Sequence, residues 1–227
     1  MDKSIVKQWL KDCEFFEGVG DSLLDALADL AVPFTLTKDQ VLFAEGEVVS
    51  ALYILIRGST RSYSGEAGGK KFVFMFNRPG DALGEVTFLD GGPCAWTTRA
   101  EEECQLIMLR QADLADAFGN QTGIPNDLVK DRVMMKLVGM VRYFATAAKH
   151  LALLDVYGRI RILFNGMLVE EGGRTLLDTP LTQQEIADRI GSSREMVARI
   201  LKELIFGRYI EMENRRIVIL KMLPDHF

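Results

Sequence analysis

The chain has 227 residues, of which 48% are hydrophobic and 26% are charged, and its net charge at pH 7 is −5. This length is enough for two modest domains, and the composition is ordinary for a soluble globular protein. No apolar run approaches the roughly 20 residues that span a bilayer, and the N-terminus lacks a secretory apolar core, so we expect neither a membrane protein nor an exported one, but a cytoplasmic protein.

The first half of the chain changes from a helical to a β-type pattern near Pro33. Residues 4–31 carry two helical patterns, and the second, whose leucines are spaced along one face, ends before this proline. From Phe34 to about Leu109, short β-prone runs alternate with turns that contain glycine or proline. Many short strands at this spacing predict an antiparallel barrel or jelly-roll domain.

The few cysteines and histidines limit the chemistry of the chain. Cys13, Cys94 and Cys104 are widely separated and none belongs to a CxxC pair, so neither a disulfide framework nor a zinc site is predicted. Cys104 alternates with Leu106 and Met108 on a predicted strand, which indicates a core position. With two histidines and no nucleophile elbow, metalloprotease motif or triad spacing, we expect no enzyme activity.

Residues 127–154 form one long helical run with an apolar seam. The seam residues recur in steps of three and four: Met134, Leu137, Val141, Phe144, Ala148 and Leu151. The simplest partner for this seam is the same helix of a second copy in a parallel homodimer, and the alternative is packing against the chain's own β-domain. Asp155 is then placed as N-cap of a further helix, YGRIRILFNGMLV, which makes Leu154-Asp155 a hinge.

The segment TQQEIADRIGSSREMVARILKELI, residues 182–205, predicts a helix-turn-helix. Thr182 and Glu185 form a capping-box pair at the start of its first helix, and Gly191 ends that helix. One of the two serines that follow begins a second helix, whose apolar residues are spaced by three and four. Its charged residues fall off this stripe, as expected for a recognition helix: Arg194, Glu195, Arg199 and Lys202. The alternative is a pair of surface helices whose charges are only solvated.

Two β-prone runs follow in residues 208–220, RYIEMENRRIVIL. They flank the turn Glu213-Asn214 and place Arg215 and Arg216 at its exit, which is typical of a winged hairpin. Basic side chains at that tip are positioned to contact DNA phosphates, so we predict a phosphate role for both arginines.

Charge is distributed unevenly along the chain. Residues 174–221 contain nine Lys and Arg against seven Asp and Glu, whereas the rest of the chain contains 18 against 25. Acidity elsewhere would restrict contact with phosphates to the C-terminal face. The distribution therefore agrees with a nucleic-acid interface in the C-terminal part.

Together these segments resemble the transcription-regulator family of the cyclic-AMP receptor protein and the fumarate-nitrate reductase regulator, the CRP/FNR family. The resemblance spans nearly the full length and rests on EGEVVSALYILIRGSTRSY, PGDALGEVTFL, LALLDVYGRI and LTQQEIADRIGSSREMVARILKEL. It implies an α+β chain with a cyclic-nucleotide-binding-like β-roll (jelly-roll) sensor domain at residues 1–124. This domain is followed by a dimerisation helix and hinge at residues 125–154. The chain then continues into a winged helix-turn-helix domain at residues 155–227.

The resemblance also implies roles for the residues that would contact DNA. Arg194, Glu195 and Arg199 match the family's base-reading positions, which implies a TGTGA-like palindrome. The family's phosphate-contacting positions match Thr182, Gln183, Ser193 and Lys202. The chemistry agrees, since arginine pairs with guanine O6 and N7 and a carboxylate accepts from cytosine N4. Implied partners are double-stranded promoter DNA, a second copy of the chain and RNA polymerase; no membrane partner is expected.

The family's cyclic-nucleotide site is only half matched. Gly84 and Glu85 match its phosphate-approaching glycine and its ribose-binding carboxylate, but the position of its phosphate-binding arginine falls in Pro93-Cys94-Ala95, which contains no cation. The purine-contacting positions of the long helix match Phe144 and Ala145, whose side chains cannot hydrogen-bond a base. Because a buried phosphodiester without a counter-ion is costly, the usual mode of cyclic-AMP binding is not expected. The candidate effector residues remain Gly84, Glu85, Cys94, Ala95, Phe144 and Ala145.

Other effectors of the family require other residues. An iron-sulfur cluster needs clustered cysteines, which Cys13 alone does not provide. A haem or gas-sensing member would need His150, His226 or Cys94 as an iron ligand. A different nucleotide, another small molecule or no ligand are further alternatives. A ligand-binding signalling module that contacts protein rather than DNA is the alternative class of function.

Overall fold

The computed structural model describes residues 2–65, 71–119 and 127–225, and the side chains of residues 127–129 are outside this description. The chain divides into two compact units, residues 1–64 with 74–141 and residues 65–73 with 142–227. In the described ranges, no helix has both the length and the apolar character that crossing a membrane requires.

The first unit begins with helices and continues into short strands. The N-terminal helices are α1 (Lys3–Asp12), a 3-10 turn (Glu14–Phe16) and α2 (Asp21–Leu30). The strands are β1 (Val32–Leu36), β2 (Val41–Phe43), β3 (Ala51–Arg57), β4 (Thr60–Gly65), β5 (Lys71–Asn77), β6 (Ala82–Leu83), β7 (Thr97–Ala100) and β8 (Cys104–Arg110). Helix α3 (Glu85–Asp90) follows β6, and α4 (Gln111–Phe118) follows β8.

The strands of the first unit form two four-stranded sheets. One has the order β1-β8-β3-β6 and the other has the order β2-β7-β4-β5. The pairings given for these strands are antiparallel, with Tyr53 opposite Met108 in the first sheet and Ser62 opposite Thr98 in the second. This arrangement confirms the predicted jelly-roll type of domain.

Strand β3 explains the uninterrupted apolar run ALYILI. Leu52 and Ile54 point into a cluster with the N-terminal helices, whereas Tyr53 and Leu55 point into a second cluster that includes Leu36 and other roll residues. Successive side chains of a strand face opposite sides, so a strand with a core on each side is apolar throughout.

The cysteines of the first unit are core residues, as predicted for Cys104. Cys13, Cys94 and Cys104 are free and buried. Burial raises the pKa of the Cys13 thiol to about 11, and its Sγ donates to the Gly80 carbonyl at 2.9 Å. Its burial and this hydrogen bond give Cys13 a packing role in the first unit.

Helix α5 (Asp127–Leu153) has 27 residues, in agreement with the long helix predicted from the sequence. Its N-terminal part packs on the first unit, where Val133 is 3% exposed and Leu137 lies against the same apolar cluster. For Leu137, packing against the chain's own β-domain is therefore observed. The remaining seam residues are considered with the candidate site.

The second unit contains a helix-turn-helix and a four-stranded sheet. Its elements are α6 (Val156–Asn165), β9 (Leu168–Glu171), β10 (Arg174–Leu177), α7 (Gln183–Ile190), α8 (Arg194–Phe206), β11 (Ile210–Glu213) and β12 (Arg216–Ile219). The sheet order is β11-β12-β10-β9. Asp155 caps α6 as predicted, since its Oδ1 accepts from the Gly158 N–H at 2.7 Å.

One boundary of the second unit differs from the prediction. The helix predicted to run to the end of YGRIRILFNGMLV stops at Asn165, and Leu168 already lies in β9. Strands β9 and β10 pair around Gly172 and Gly173, both of which have positive φ. A glycine pair between β-prone runs is a hairpin signal, and the apolar residues before it fit a helix or a strand equally well.

Candidate nucleic-acid interface

Local interactions that the sequence specifies fix where each helix of the helix-turn-helix begins and where the turn lies. Thr182 and Glu185 form a reciprocal capping box, in which the Glu185 N–H donates to Thr182 Oγ1 at 3.2 Å and the Thr182 N–H donates to Glu185 Oε2 at 2.6 Å. Gly191 ends α7 with a φ of 63°, a left-handed conformation that favours glycine. Ser193 caps α8 by accepting from the Met196 N–H at 3.2 Å.

The inner faces of the two helices hold them in a fixed relation. Ile186 and Val197 are fully buried and belong to one cluster that also contains Phe164 of α6. Burying side chains of this size contributes about 1.5–3 kcal/mol each, which outweighs the intrinsic helix preference of such short segments. The orientation of α8 is therefore determined by the core of its own unit.

The predicted base-reading residues lie on the opposite face of α8. Arg194 and Glu195 are exposed in its opening turn, and Arg199 is exposed further along, with Nη2 2.9 Å from Met196 Sδ. The thioether is a weak acceptor and leaves the guanidinium fork able to bind a stronger one. Two arginines and one carboxylate therefore project from the outer face of this helix.

The structure brings together several residues that the sequence assigned to phosphate contacts. Thr182 and Gln183 at the start of α7, Lys202 of α8 and Arg215 of the β11–β12 turn line one groove of about 660 Å³. The positive end of the α7 dipole lies at this groove and favours an anion, although the Glu185 carboxylate that caps the helix lines the groove as well. Ser193 is instead occupied as the cap of α8 and is half-buried.

The groove also contains apolar residues that the sequence analysis did not select. Ile205 is 44% exposed and Met212 is 51% exposed, and both line the groove beside Lys202. Their positions in a helix and a strand were readable from the sequence, but their exposure depends on how α8 packs against the wing. No local pattern could have identified them.

The wing confirms the predicted hairpin and distinguishes its two arginines. Glu213 pairs with Arg216 across β11 and β12, which leaves Asn214 and Arg215 as a two-residue turn with φ values of 48° and 67°. Positive φ at both positions is typical of a type I′ hairpin turn. Arg215 is exposed at the tip, where a phosphate could reach it.

Arg216, for which the sequence also predicts a phosphate contact, makes hydrogen bonds within the sheet. Its guanidinium donates to the Leu177 carbonyl at 2.8 Å and 3.1 Å and to Glu171 Oε2 at 2.6 Å. The side chain thus joins β12 to the neighbouring β10 and to the carboxylate of β9. Its hydrogen-bonding fork is used inside the sheet, so Arg215 is the better placed of the two arginines for a phosphate contact.

The candidate effector residues of the β-roll include a glycine with a structural role. Gly84 precedes α3 with a φ of 82°, and a Cβ on it would lie 2.9 Å from the Ala51 carbonyl oxygen. Both the backbone conformation and the close approach require glycine at this position. The geometry therefore requires glycine at position 84 whether or not a nucleotide binds.

Glu85 is not free to receive a ligand. Its side chain is 4% exposed, and Oε1 lies 3.0 Å from Nζ of Lys136 on α5. A buried carboxylate is stable when a cation and hydrogen bonds satisfy it, and Lys136 supplies both. A ribose hydroxyl would have to displace this contact.

The segment that replaces the family's phosphate-binding arginine is packed into the roll. The Cys94 N–H donates to the Glu47 carbonyl at 2.7 Å, and the Gly46 N–H donates to the Cys94 carbonyl at 2.8 Å. Burial raises the pKa of the Cys94 thiol, which lies in the apolar cluster of the roll interior. Ala95 is exposed. These two side chains provide no counter-charge for a phosphate.

The remaining effector candidates lie in the second unit. Phe144 is half-buried with its ring 5.6 Å from that of Tyr143, and Ala145 is exposed. Neither side chain offers a hydrogen bond to a base. His150 is half-buried on the same helix, and His226 lies outside the described residues.

Most of the predicted seam faces outward in the single chain. Met134 is 62% exposed, Val141 68% and Leu151 42%, and Ala148 is also exposed. Phe144 and Leu137 are half-buried. A row of exposed apolar side chains along one helix is costly in water and indicates a surface that a partner covers.

Comparison with known proteins follows the same division of the chain. Residues 33–121 match the family described as the cyclic nucleotide-binding domain, and residues 151–223 match the Crp-like helix-turn-helix domain. The CRP-like cAMP-activated global transcriptional regulator of Mycobacterium tuberculosis is 26% identical over 208 residues, which cover 90% of this chain and 91% of the relative.

Two further relatives extend this comparison. The cAMP-activated global transcriptional regulator CRP of Salmonella typhimurium is 27% identical over 183 residues, or 78% of this chain and 84% of the relative. The solved structure of the c-di-GMP-responsive global regulator CLP of Xanthomonas campestris has a TM-score of 0.75 at 20% identity, with 89% of this chain and 100% of that chain covered. Both domain families occur in this chain, its relatives are covered over most of their length, and the chain belongs to the CRP/FNR family of DNA-binding transcription regulators.

Proposed function

We propose that the protein is a homodimeric, sequence-specific regulator that reads a TGTGA-like palindrome in promoter DNA. The observation that carries the proposal is the outer face of α8, where Arg194, Glu195 and Arg199 are exposed on a helix whose inner face is buried. Arginine forks select guanine and a carboxylate selects cytosine, so this set has the chemistry of a GC-containing half-site.

The groove beside α8 supports separate roles for residues that contact phosphates and residues that contact bases. Lys202 and Arg215 line it as cations, together with the capped N-terminus of α7. Contacts of this type fix the register of a protein on the duplex, while base contacts carry the sequence information. Arg215 thus serves as the wing's phosphate contact in the proposed complex.

The exposed seam of α5 supports the dimer. A second copy packed along Met134, Val141 and Leu151 would cover apolar side chains that the single chain leaves in water. Two recognition helices related by such a two-fold axis suit half-sites about 34 Å apart, one turn of DNA. In this proposal residues 125–154 form the dimer helix and hinge between a sensor domain, residues 1–124, and a DNA-binding domain, residues 155–227.

We further propose that control does not use cyclic AMP in the family's usual manner. The relatives from Mycobacterium tuberculosis and Salmonella typhimurium are named as cAMP-activated, and the Xanthomonas campestris protein as c-di-GMP-responsive. In this chain Glu85 is held by Lys136, and Pro93-Cys94-Ala95 contains no cation. The ribose of a cyclic nucleotide would meet a carboxylate that already has a partner. Its phosphate would find no cation from Pro93-Cys94-Ala95 to balance its charge. The protein would act in the cytoplasm on RNA polymerase at promoters, without enzyme activity.

A binding titration tests this function. Fluorescence anisotropy would compare a duplex that carries the TGTGA palindrome with a scrambled duplex of the same length and at the same salt concentration. We expect the palindrome to bind at least about 10³-fold more tightly, the lower end of the range for specific sites. Equal affinity for both duplexes, in the presence of cyclic AMP, cyclic di-GMP or neither, would contradict the assignment.

A further inference from the structure

Helix α8 ends with two consecutive apolar residues that the second unit leaves exposed. Ile205 is 44% exposed, and Phe206 is 92% exposed. Single exposed apolar side chains are common on protein surfaces, but a phenylalanine with nearly its whole ring in water is costly. Phe206 has no role in the contacts proposed above, although it belongs to the helix that carries the base-reading residues.

Phe206 lies on the same side of α8 as the proposed base-reading residues. Arg199 and Phe206 are separated by almost two turns of the helix, so their side chains point in nearly the same direction. Lys202 lies between them on this side. The base-reading face therefore continues into an apolar side chain at its C-terminal end.

These three side chains line one hollow of about 590 Å³, together with Glu203, Gly207 and Tyr209. Two cations and one carboxylate give its charged residues a sum of +1. Gly207 brings the chain close to Tyr209, since a Cβ on this glycine would lie 2.9 Å from atoms of the tyrosine ring. The hollow thus combines positive charge with an aromatic wall.

Any molecule that fills this hollow also meets Arg199 and Lys202. Both residues are exposed on the proposed DNA-reading face, and Lys202 also lines the groove beside the wing. A protein seated in the hollow would compete with DNA for these two cations, whereas a duplex on Arg199 would bring its own backbone to Phe206. Continuity with the proposed interface and the positive charge both favour DNA as the occupant.

The geometry of a helix determines which part of the duplex Phe206 can reach. At about 1.5 Å per residue, Phe206 lies roughly 10 Å further along the axis of α8 than Arg199. Recognition helices insert their N-terminal end into the major groove, which is about 8.5 Å deep. With Arg199 at the base edges, Phe206 therefore lies at the level of the sugar-phosphate backbone.

We infer that the ring of Phe206 packs against a deoxyribose at the rim of the major groove, next to the phosphate that Lys202 contacts. The C–H groups of the sugar are apolar, so this contact removes the ring from water without requiring a hydrogen bond. Because the sugar is the same at every base pair, the contact adds affinity but no sequence preference. This inference rests on the proposed DNA-binding function.

Phe206→Ala tests this contact on the full-length protein. We expect the affinity for the palindromic and for the scrambled duplex to fall by a similar factor, at least about tenfold, since buried apolar area stabilises the complex. The variant removes no charge, so the dependence of affinity on salt concentration should keep its slope, in contrast to Lys202→Ala. Anisotropy titrations at several salt concentrations measure both quantities.

Met222→Ala is the matched control, because Met222 is 90% exposed in the same unit and is not among the residues of the hollow. Both alanine variants should keep the melting temperature of the unmodified protein, since each side chain is exposed. Three results would overturn the sugar contact: an unchanged affinity of Phe206→Ala, the same loss in Met222→Ala, or a loss confined to the palindrome.

Two further outcomes separate this contact from other roles of Phe206. If Phe206→Ala bound DNA as tightly as the unmodified protein but lost transcription from a palindromic promoter with purified RNA polymerase, the ring would face a protein and the DNA contact would be refuted. If the unmodified protein showed no preference for the palindrome, the proposed function would fail. A tenfold loss of Phe206→Ala on both duplexes would in that case leave the sugar contact standing.

Discussion

Lys136 Nζ lies 3.0 Å from Glu85 Oε1 and donates to the Ala82 carbonyl at 2.5 Å, which ties α5 to β6 and to the first residue of α3. The carboxylate is almost completely buried, and 29% of the lysine side chain is exposed. The ammonium satisfies an acidic group that the family places against a nucleotide. The same contact therefore links α5 to the β-roll and engages one of the candidate effector residues.

Removing either partner of this pair should destabilise the first unit. Lys136→Met leaves a buried carboxylate without its cation, and we expect a loss of about 2 kcal/mol, discounted from the value for a fully buried pair because the lysine is partly exposed. A double-mutant cycle with Glu85→Gln, measured by chemical denaturation, should show a coupling energy of about 1–2 kcal/mol. Arg132→Met is the control, because its partner Glu17 is exposed and the loss should stay below about 0.5 kcal/mol. Additive single effects would show that the pair contributes nothing.

The two arginines of the wing should behave differently when each is changed to alanine. Arg215→Ala should leave the melting temperature unchanged and weaken binding to specific and scrambled DNA alike, because its side chain is exposed at the tip. Arg216→Ala should destabilise the second unit by about 1–3 kcal/mol, because the Leu177 carbonyl and Glu171 lose their donor. Thermal denaturation and anisotropy titrations separate the two effects. A stable Arg216→Ala protein with weakened DNA binding would instead show that Arg216 contacts a phosphate.

Glu195 and Lys202 should affect DNA recognition in different ways. Glu195→Ala should relax the choice at one base position, with a loss of about 1–3 kcal/mol in discrimination, since a carboxylate contact to cytosine is sequence-specific. Lys202→Ala should weaken binding to all DNA sequences by a similar factor. It should also make the dependence of affinity on salt concentration less steep, by about one phosphate contact per subunit. Titrations of single-base operator variants at several salt concentrations measure both. Identical profiles for the two variants would contradict the assigned roles.

A charge in the exposed seam of α5 should prevent dimer formation. Val141→Glu places a carboxylate in the proposed interface, so sedimentation equilibrium should show a monomer and palindrome binding should fall at least about tenfold. Val48→Glu is a matched control, because Val48 is 64% exposed against 68% for Val141 and lies in the β-domain. If Val141→Glu remained a dimer, or if both variants dissociated equally, the seam would not be the interface.

The turn between β3 and β4 should require glycine at position 58. Gly58 has a φ of 90°, and a Cβ there would lie 2.6 Å from the Glu103 carbonyl oxygen and 2.8 Å from Cys104 Sγ. Gly58→Ala therefore combines backbone strain with a collision, and we expect a loss of at least about 2 kcal/mol in unfolding free energy. Gly46→Ala isolates the strain, since Gly46 has a φ of 88° with open space around its Cβ position, and should cost about 1 kcal/mol. If both variants lost the same unfolding free energy, the atoms around position 58 would move aside for the new Cβ without an energetic cost.

The features that the sequence predicted correctly depend on residues three or four positions apart. The capping box of Thr182 and Glu185 and the N-cap of Asp155 are confirmed, and the hairpin of the wing is confirmed with its turn one residue later than predicted, at Asn214-Arg215. Such pairs meet as soon as the local backbone forms, so their residue types reveal the structure. The hairpin of β9 and β10 was missed because its apolar residues also fit a continuation of α6.

By itself, the sequence determined the order of the domains, the limits of the long helix and the residues exposed on α8, because these follow from periodicity and local capping. Only the tertiary structure decided that Lys136 satisfies Glu85 and that Arg216 binds inside the sheet while Arg215 stays exposed. Those relations join residues far apart in the chain. Their distances are set by how whole helices and strands pack, and no spacing in the sequence contains that information.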